Sequence, residues 1–491
     1  MSVLREIVAH KRAEVAERRK RSPRAHERAV VPSDRSFVAA LEAPGLSLVA
    51  EVKRTSPSLA RTSEILPSRF DPIALARAYD PSARAISVLT EARYFGGSLE
   101  DLARVRETTR RPVLCKDFVV DPEHQIPEAR AHGADAILLM AQILAPSAIE
   151  RALGLCRALG MEALVEVHDE DELARVLGET SARIVGINAR DLDTLAIDLD
   201  RPRRLAARAR EAGRIVVAES GLRSRGDVAA LEGEVDAILV GSVLSRAADP
   251  GAALVALGFG PRPRRPAVKI CGVRTAVQAR AAHDAGADAL GLNFVLGARR
   301  AVQASELDAI AVSTRGALRV GVFASPSIAE VEAAIARAEL GAIQLHDAPD
   351  APALDLAPFA ALAARRGVAL WRAIPVPSPD LRARLADAQR YGARVVLDAA
   401  RAGSGRRFDP AALRGLVLPS DLVLAGGLDA EHVASCIARF EPAMVDVASG
   451  IEEDGAPSAS RIASFVAAVR RSSPEETFHA AVHQARPHAP R

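Results

Sequence analysis

Short runs rich in Val, Ile, Leu and Ala alternate with Ala/Arg/Glu/Leu-rich segments of helical period along nearly the whole chain. Parallel strands joined by helices require that alternation, because a strand buried on both faces reads as a continuous apolar run. In the first half the runs end near Glu51, Thr90, Lys116, Met140, Glu166, Asn188, Glu219 and Gly241, at intervals of 39, 26, 24, 26, 22, 31 and 22. A second series ends near Cys271, Phe294, Phe323, His346, Ala373, Asp398, Gly426 and Ser449, at intervals of 23, 29, 23, 27, 25, 28 and 23. Eight βα units in roughly 200 to 250 residues is the size of one (β/α)8 barrel, so the spacing predicts an α/β chain of two tandem TIM barrels.

The stretch "GFGPRPRRPA" (258–267) has the proline, glycine and arginine content of a linker. The expected organisation is a first barrel over 1–256 with an N-terminal helical extension, a linker over 257–266, a second barrel over 267–471, and a disordered tail over 472–491. Doubly wound open sheets compete with this reading. Those that bind dinucleotides carry GxGxxG after the first strand, and neither "EVKRTSPS" nor "CGVRTAV" supplies it. "GSGRRF" (403–408) lacks the third glycine and follows a sixth strand.

The 65 basic and 62 acidic residues are spread along the chain, so no basic arm suggests nucleic acid, and 3% aromatic content leaves few stacking platforms. No apolar stretch is long enough to span a bilayer, and the N-terminus has no signal-peptide pattern, so a cytoplasmic protein is expected. Cys115, Cys156, Cys271 and Cys436 lie far apart without a CxxC pair, which predicts free thiols. Only Lys11, Lys20, Lys53, Lys116 and Lys269 are lysine; the other 60 basic residues are arginine. Arginine serves wherever a bare cation suffices, whereas an ammonium can trade its proton, so a lysine retained inside an apolar strand is informative.

In "LVAEVKRTSPS" (48–58), Val49, Glu51 and Lys53 share one face of a strand, and Leu48, Ala50 and Val52 the other. Taken alone, the charges fit a surface ion pair on an edge strand. Yet Lys116, Glu166, Asn188 and Glu219 also end strands, and barrel enzymes aim catalytic side chains from those ends into the mouth. Cys115, adjacent to Lys116, should instead face the helix layer as an inert thiol. The loops "ESGLRS" (219–224) and "VGSVLS" (240–245) follow strands seven and eight, and their small residues expose backbone N–H groups suited to phosphate. In the second half, "AGGLDAEH" (425–432) and "VASGIEED" (447–454) occupy the same places, making Gly426, Gly427, Ser449 and Gly450 candidates. There, Lys269 and Cys271 share the inward face of "AVKICG", and Asp398 ends "RVVLD" across the barrel. A thiolate and a carboxyl facing one pocket can move a proton beside a carbonyl. A packed core cysteine and a helix-capping aspartate remain open for the two.

The segments "LVAEVKRTSPS", "PVLCKDFVVDPEHQIPEARAHGADAILLM", "VGINARDL", "VVAESGL" and "AILVGS" closely resemble indole-3-glycerol phosphate synthase, over roughly 1–256. "VKICGVRT", "VGVF", "IQLH", "VVLDAARAGSGRRFD", "LAGGL" and "VDVASGIE" resemble phosphoribosylanthranilate isomerase, over roughly 267–471. Together they resemble the fused bifunctional enzymes of tryptophan biosynthesis. The first resemblance implies cofactor-free closure of 1-(2-carboxyphenylamino)-1-deoxyribulose 5-phosphate to indole-3-glycerol phosphate, with loss of carbon dioxide and water. It implies Lys116 as general acid, Glu166 in proton transfer during dehydration, and Lys53 on the substrate carboxylate. Glu51 and Asn188 would position these groups, and Glu219 would line the pocket. Ser56, Gly221, Gly241 and Ser242, with Ser220 in the same loop, would cradle the phosphate.

The second resemblance implies an Amadori rearrangement of N-(5-phosphoribosyl)anthranilate into the first barrel's substrate, with Asp398 as general acid and Cys271 as general base. An ordinary thiol, near pKa 8.5, is mostly protonated at neutral pH, so the pocket should favour the thiolate, with Lys269 helping. Arg300 would meet the anthranilate carboxylate. The chain departs from the family's pattern at Ala298, at Asp347 in "QLHD", and at Ala402 in "RAGSG". Phosphorylated anthranilate-sugar substrates are therefore expected, with no cofactor, no metal, no nucleic acid or membrane partner, and a monomeric protein. One rival leaves the second barrel as a structural or binding domain without catalysis. Another gives both barrels other phosphosugars, since one fold hosts many chemistries.

Overall fold

The computed structural model describes residues 3–21, 30–55, 70–191, 194, 196–262, 265–314, 316–347, 353–399 and 409–472. The predicted tail beyond 472, the "GSGRRF" segment, Ser56 and Ala402 lie outside them. The chain divides chiefly at Pro261 and Arg262 into two compact units.

The first unit is a closed parallel barrel of eight strands: β1 (Ser47–Val52), β2 (Ala85–Leu89), β3 (Val113–Lys116), β4 (Ala136–Met140), β5 (Glu162–Val167), β6 (Ile184–Asn188), β7 (Ile215–Glu219) and β8 (Ala237–Val240). Closure is direct, since Val49 aligns with Ala85 of β2 on one side and Leu239 of β8 on the other. Alternation sorts the side chains as the sequence predicts. Val49, Leu114, Leu138, Leu164, Val217 and Leu239 fill the barrel, while Ala50, Val52, Ile86, Cys115 and Val165 pack outward against the helices.

Among the described residues, two helices precede β1. Helix α1 (Val3–Arg21) is tied to the C-terminal side of the barrel, where Lys11 meets Asp117 at 3.0 Å, Arg19 meets Asp121 at 2.9 Å and Tyr94 donates to Glu6 at 2.9 Å. Helix α2 (Phe37–Leu41) closes the opposite end: Ser47 donates to Ala40 O, and Glu162 at the start of β5 accepts from Val38 N at 2.6 Å. Its Phe37, Val38 and Leu41 complete the interior cluster.

The second unit is another closed barrel: β9 (Ala267–Cys271), β10 (Ala289–Asn293), β11 (Leu318–Ala324), β12 (Ala342–His346), β13 (Ala369–Val376), β14 (Arg394–Ala399), β15 (Val423–Leu424) and β16 (Met444–Val447). Strands β9 and β16 close it, with Val445 beside Val268. Val320, Trp371, Val396, Val423 and Met444 fill the interior.

A local device recurs at the N-terminal strand ends. Asp135, Asp236 and Asp288 each precede a strand and accept an N–H from the first or second residue of the preceding strand, Val113 at 2.9 Å, Val216 at 2.8 Å and Val268 at 2.8 Å. Each satisfies a buried donor that has no ladder partner at that point. Among the described residues, no helix is long and apolar enough to cross a membrane.

Candidate active sites

In the first barrel the strand-end charges converge. Glu51, next to last in β1, receives Lys53 Nζ at 2.8 Å and Lys116 Nζ at 3.4 Å. Lys116, the last residue of β3, also donates to Glu219 Oε2 at 2.7 Å. Burial would raise the Glu51 carboxyl, but Lys53 and Lys116 outweigh it and hold the group below its ordinary range. Burial works against the Lys116 ammonium too. Glu219, Glu51 and Glu166 override it and raise its pKa above the lysine norm. Glu219 is pushed up to about 7, because burial and the repulsion of Glu166 and Glu51 exceed what Lys116 returns.

These groups border a cavity of about 690 Å³, whose lining includes Glu51, Lys53, Lys116, Glu166, Asn188, Ser220, Gly221, Gly241 and Ser242. Glu219 corrects the expectation that it lines this pocket: it is fully buried beneath Lys116, where a carboxylate can act on the lysine without meeting solvent. Gly186 of β6 makes room for it, since a Cβ there would run into Glu219 Oε1. Ser220 and Gly221 both adopt positive φ, 68° and 85°, which turns the chain after β7 toward the cavity. Lys53 donates to Ser242 Oγ at 3.0 Å, joining the β1 end to the loop after β8. Cys115 lies in the outer layer, where burial pushes its thiol up to about 12.

Several residues at this site escaped the sequence reading. Arg190, Arg223 and Arg246 line the cavity and bring guanidinium groups to the side that carries the two small-residue loops. Phe95, Phe118, Leu138 and Met140 form an apolar wall, joined by Val3, Leu4 and Ile7 of α1. His168 follows β5 on the same face as Glu166, its Nε2 3.2 Å from Glu166 Oε1. It was legible in principle, because "EALVEVH" places it two residues past Glu166.

The second barrel assembles a smaller set. Cys271 ends β9, and Gly291 of β10 leaves it space, a Cβ there falling 2.7 Å from its sulfur. Asp398 is next to last in β14; burial and Asp446 push its carboxyl up to about 6. Lys269 is fully buried and donates to Asp446 at 2.6 Å and Gln344 at 3.1 Å. The expectation that the pocket favours a Cys271 thiolate is corrected here. Burial raises the thiol, and Lys269 offsets this only in part because Asp446 takes up its charge. Asp446 and His346 were missed, although both lie on inward-facing strand positions. Burial lowers His346 to about 4, which leaves the ring neutral.

Arg300 lies over Gly272, next to Cys271, and its guanidinium is held by Glu452 at 2.6 and 3.0 Å. Gly426, at φ 84°, approaches Asp398, and Gly450 abuts Leu428, so the loops carrying Gly426, Gly427, Ser449 and Gly450 meet. The departure at Asp347 has a local explanation: its carboxylate pairs with Arg372 at 2.7 Å and with Arg384. Among the described residues, no group of three or more His, Cys, Asp or Glu is arranged to hold a metal ion.

The indole-3-glycerol phosphate synthase family profile matches residues 4–257, and the N-(5'phosphoribosyl)anthranilate isomerase profile matches 268–468. The tryptophan biosynthesis protein TrpCF of Salmonella typhi is 36% identical over 452 residues, 92% of this chain and 95% of its own. The chain belongs to the TrpCF family. It is a bifunctional enzyme of tryptophan biosynthesis, with a synthase domain followed by an isomerase domain. The indole-3-glycerol phosphate synthase of Mycobacterium avium is 48% identical over 244 residues, 49% of this chain and 87% of its own. The phosphoribosyl anthranilate isomerase structure from Thermus thermophilus, 31% identical, covers 42% of this chain and 98% of its own, with a TM-score of 0.36.

Proposed function

We propose that the second barrel rearranges N-(5-phosphoribosyl)anthranilate to 1-(2-carboxyphenylamino)-1-deoxyribulose 5-phosphate, and that the first closes that product to indole-3-glycerol phosphate. The observation that carries the reading is the convergence of Lys116, Glu51 and Lys53 at a cavity of about 690 Å³, with Glu219 buried against Lys116, in a chain whose two halves match the two families. In the first barrel, Lys116 protonates the substrate carbonyl as the aryl carbon attacks. Glu219, which keeps a proton up to about pH 7, is 2.7 Å away and can recharge it. Phe95, Phe118, Leu138 and Met140 suit the anthranilate ring, and Lys53, Arg190, Arg223 and Arg246 suit its carboxylate and the phosphate. Glu166 moves the proton released in the dehydration.

In the second barrel, Asp398 acts as general acid on the ribose ring oxygen and Cys271 removes the C2 proton. Arg300 takes the anthranilate carboxylate, a role supported by Glu452, whose carboxylate it already grips through two nitrogens. The domain limits proposed are 1–256 and 267–471, and the working form is a cytoplasmic monomer. Complementation tests the whole reading. The full chain should rescue tryptophan auxotrophs lacking either enzyme, Lys116→Arg should rescue only the isomerase-deficient strain, and Cys271→Ala only the synthase-deficient one. Failure of the unsubstituted chain in either strain would overturn the assignment for that half.

A further inference from the structure

Glu166 faces the cavity from β5, and the groups that face it are His168 on its own strand, Lys116 from β3, Asn188 from β6 and Glu219 from β7. His168 does not border the cavity. It stands two residues beyond Glu166 on the same face, 5% exposed against 2% for the carboxylate, with Nε2 3.2 Å from Glu166 Oε1. Its other nitrogen, Nδ1, is 3.4 Å from Glu172 Oε2. Glu172 is itself fixed, because Oε2 accepts His168 N–H at 2.8 Å while its own N–H donates to Asp169 Oδ1, the cap of the helix Glu170–Glu179. The ring is therefore clamped between two buried carboxylates, with Glu166 and Glu172 the charged groups facing it. Lys116 is shared with Glu51 and Glu219, so two buried carboxylates beside a neutral imidazole would be poorly compensated, whereas an imidazolium supplies a cation between them.

We propose that His168 is a positioning residue for ring closure: clamped by Glu172, its imidazolium fixes Glu166 as an ionised carboxylate aimed into the cavity, so Glu166 enters each turnover as a proton acceptor. The proposal rests on the assignment of Glu166 to proton transfer made above. In the dehydration, a proton passes from the ring-closed intermediate to Glu166 and the C–O bond breaks. The departing hydroxyl takes up one proton, and the carboxylate is regenerated within the turnover. The direction of the pKa shifts agrees. Burial lowers His168, but the two carboxylates outweigh it and raise the ring to about 10, and His168 with Lys116 brings Glu166 to about 2 against its burial.

The test is the pH profile of kcat/KM for ring closure in the full chain, with isomerase turnover of the same preparation as the folding control. In the unsubstituted protein the limb assigned to Glu166 lies below pH 5. His168→Gln should move it up by at least one unit, which is about tenfold in rate at a pH below the displaced limb, and His168→Lys should move it back. The substrate phosphate titrates equally in all variants and cancels. An unmoved limb in His168→Gln overturns the proposal. If that variant does not fold, Glu172→Gln carries the test, with a smaller upward shift expected and no shift overturning it. Glu166→Gln separates the two claims: normal turnover there removes the assignment of Glu166 itself, whereas loss there with an unmoved His168→Gln limb removes only the role of His168.

Discussion

As the proposed base and acid, Cys271 and Asp398 work only when one proton is held between the two of them. Below about pH 6 both hold protons and no base is present; above the raised thiol pKa both are ionised and no acid remains. Isomerase kcat/KM should therefore rise with pH to about 6 and stay level well past 8, and a pH–rate series showing decline from 6 to 8 would contradict this assignment. Lys116, Glu51 and Glu166 were legible because a charge ending an apolar run stands out. Asp446 was not, since its partner Lys269 comes from another strand and no local pattern announces a contact across a barrel; His168, two residues past Glu166, could have been found by strand alternation. Glycines carry part of that hidden geometry. Gly186→Ala would push Glu219 off Lys116 and should cost ring closure on the order of a hundredfold, with isomerase turnover unchanged in the same assay.

At the level of elements, strand ends were readable to within a few residues because the alternation of apolar run and helix is strict. Strand β13 shows the limit: the run was read as ending near Ala373, but pairing with β14 continues through Ile374 and Pro375 to Val376. The aspartates before β4, β8 and β10 were equally hidden, since their partner N–H groups lie 20 or 22 residues earlier. Asp135 also binds Arg130 at 3.0 Å and Arg106 at 3.3 Å. Removing it in Asp135→Ala leaves a buried N–H unpaired and takes a carboxylate from Arg130 and from Arg106, the latter keeping Asp34 at 2.8 Å. Urea unfolding of the first unit should show a loss of roughly 3–5 kcal/mol. Helix α1 was expected as an extension, but not as a wall of the cavity, because only the fold reveals that Val3, Leu4 and Ile7 face it.

For the whole molecule, each unit closes its own barrel and gathers its own reactive groups. Activities should then fail separately. Lys116→Arg keeps the cation but cannot give up a proton near neutrality, so closure should fall at least about a hundredfold while isomerase kcat stays within about twofold. Cys271→Ala should do the reverse, and a single substitution that silences both in steady-state assays would contradict the division of labour. The lysine scarcity has a further, practical consequence. Four of the five ammonium groups are engaged by carboxylates at 14% side-chain exposure or less, and only Lys20, at 78%, is open. An acylating reagent would thus tag one lysine side chain rapidly, and mass spectrometry could follow the slow labelling of Lys53 and Lys116, and its suppression by bound product, with few other lysines to interfere.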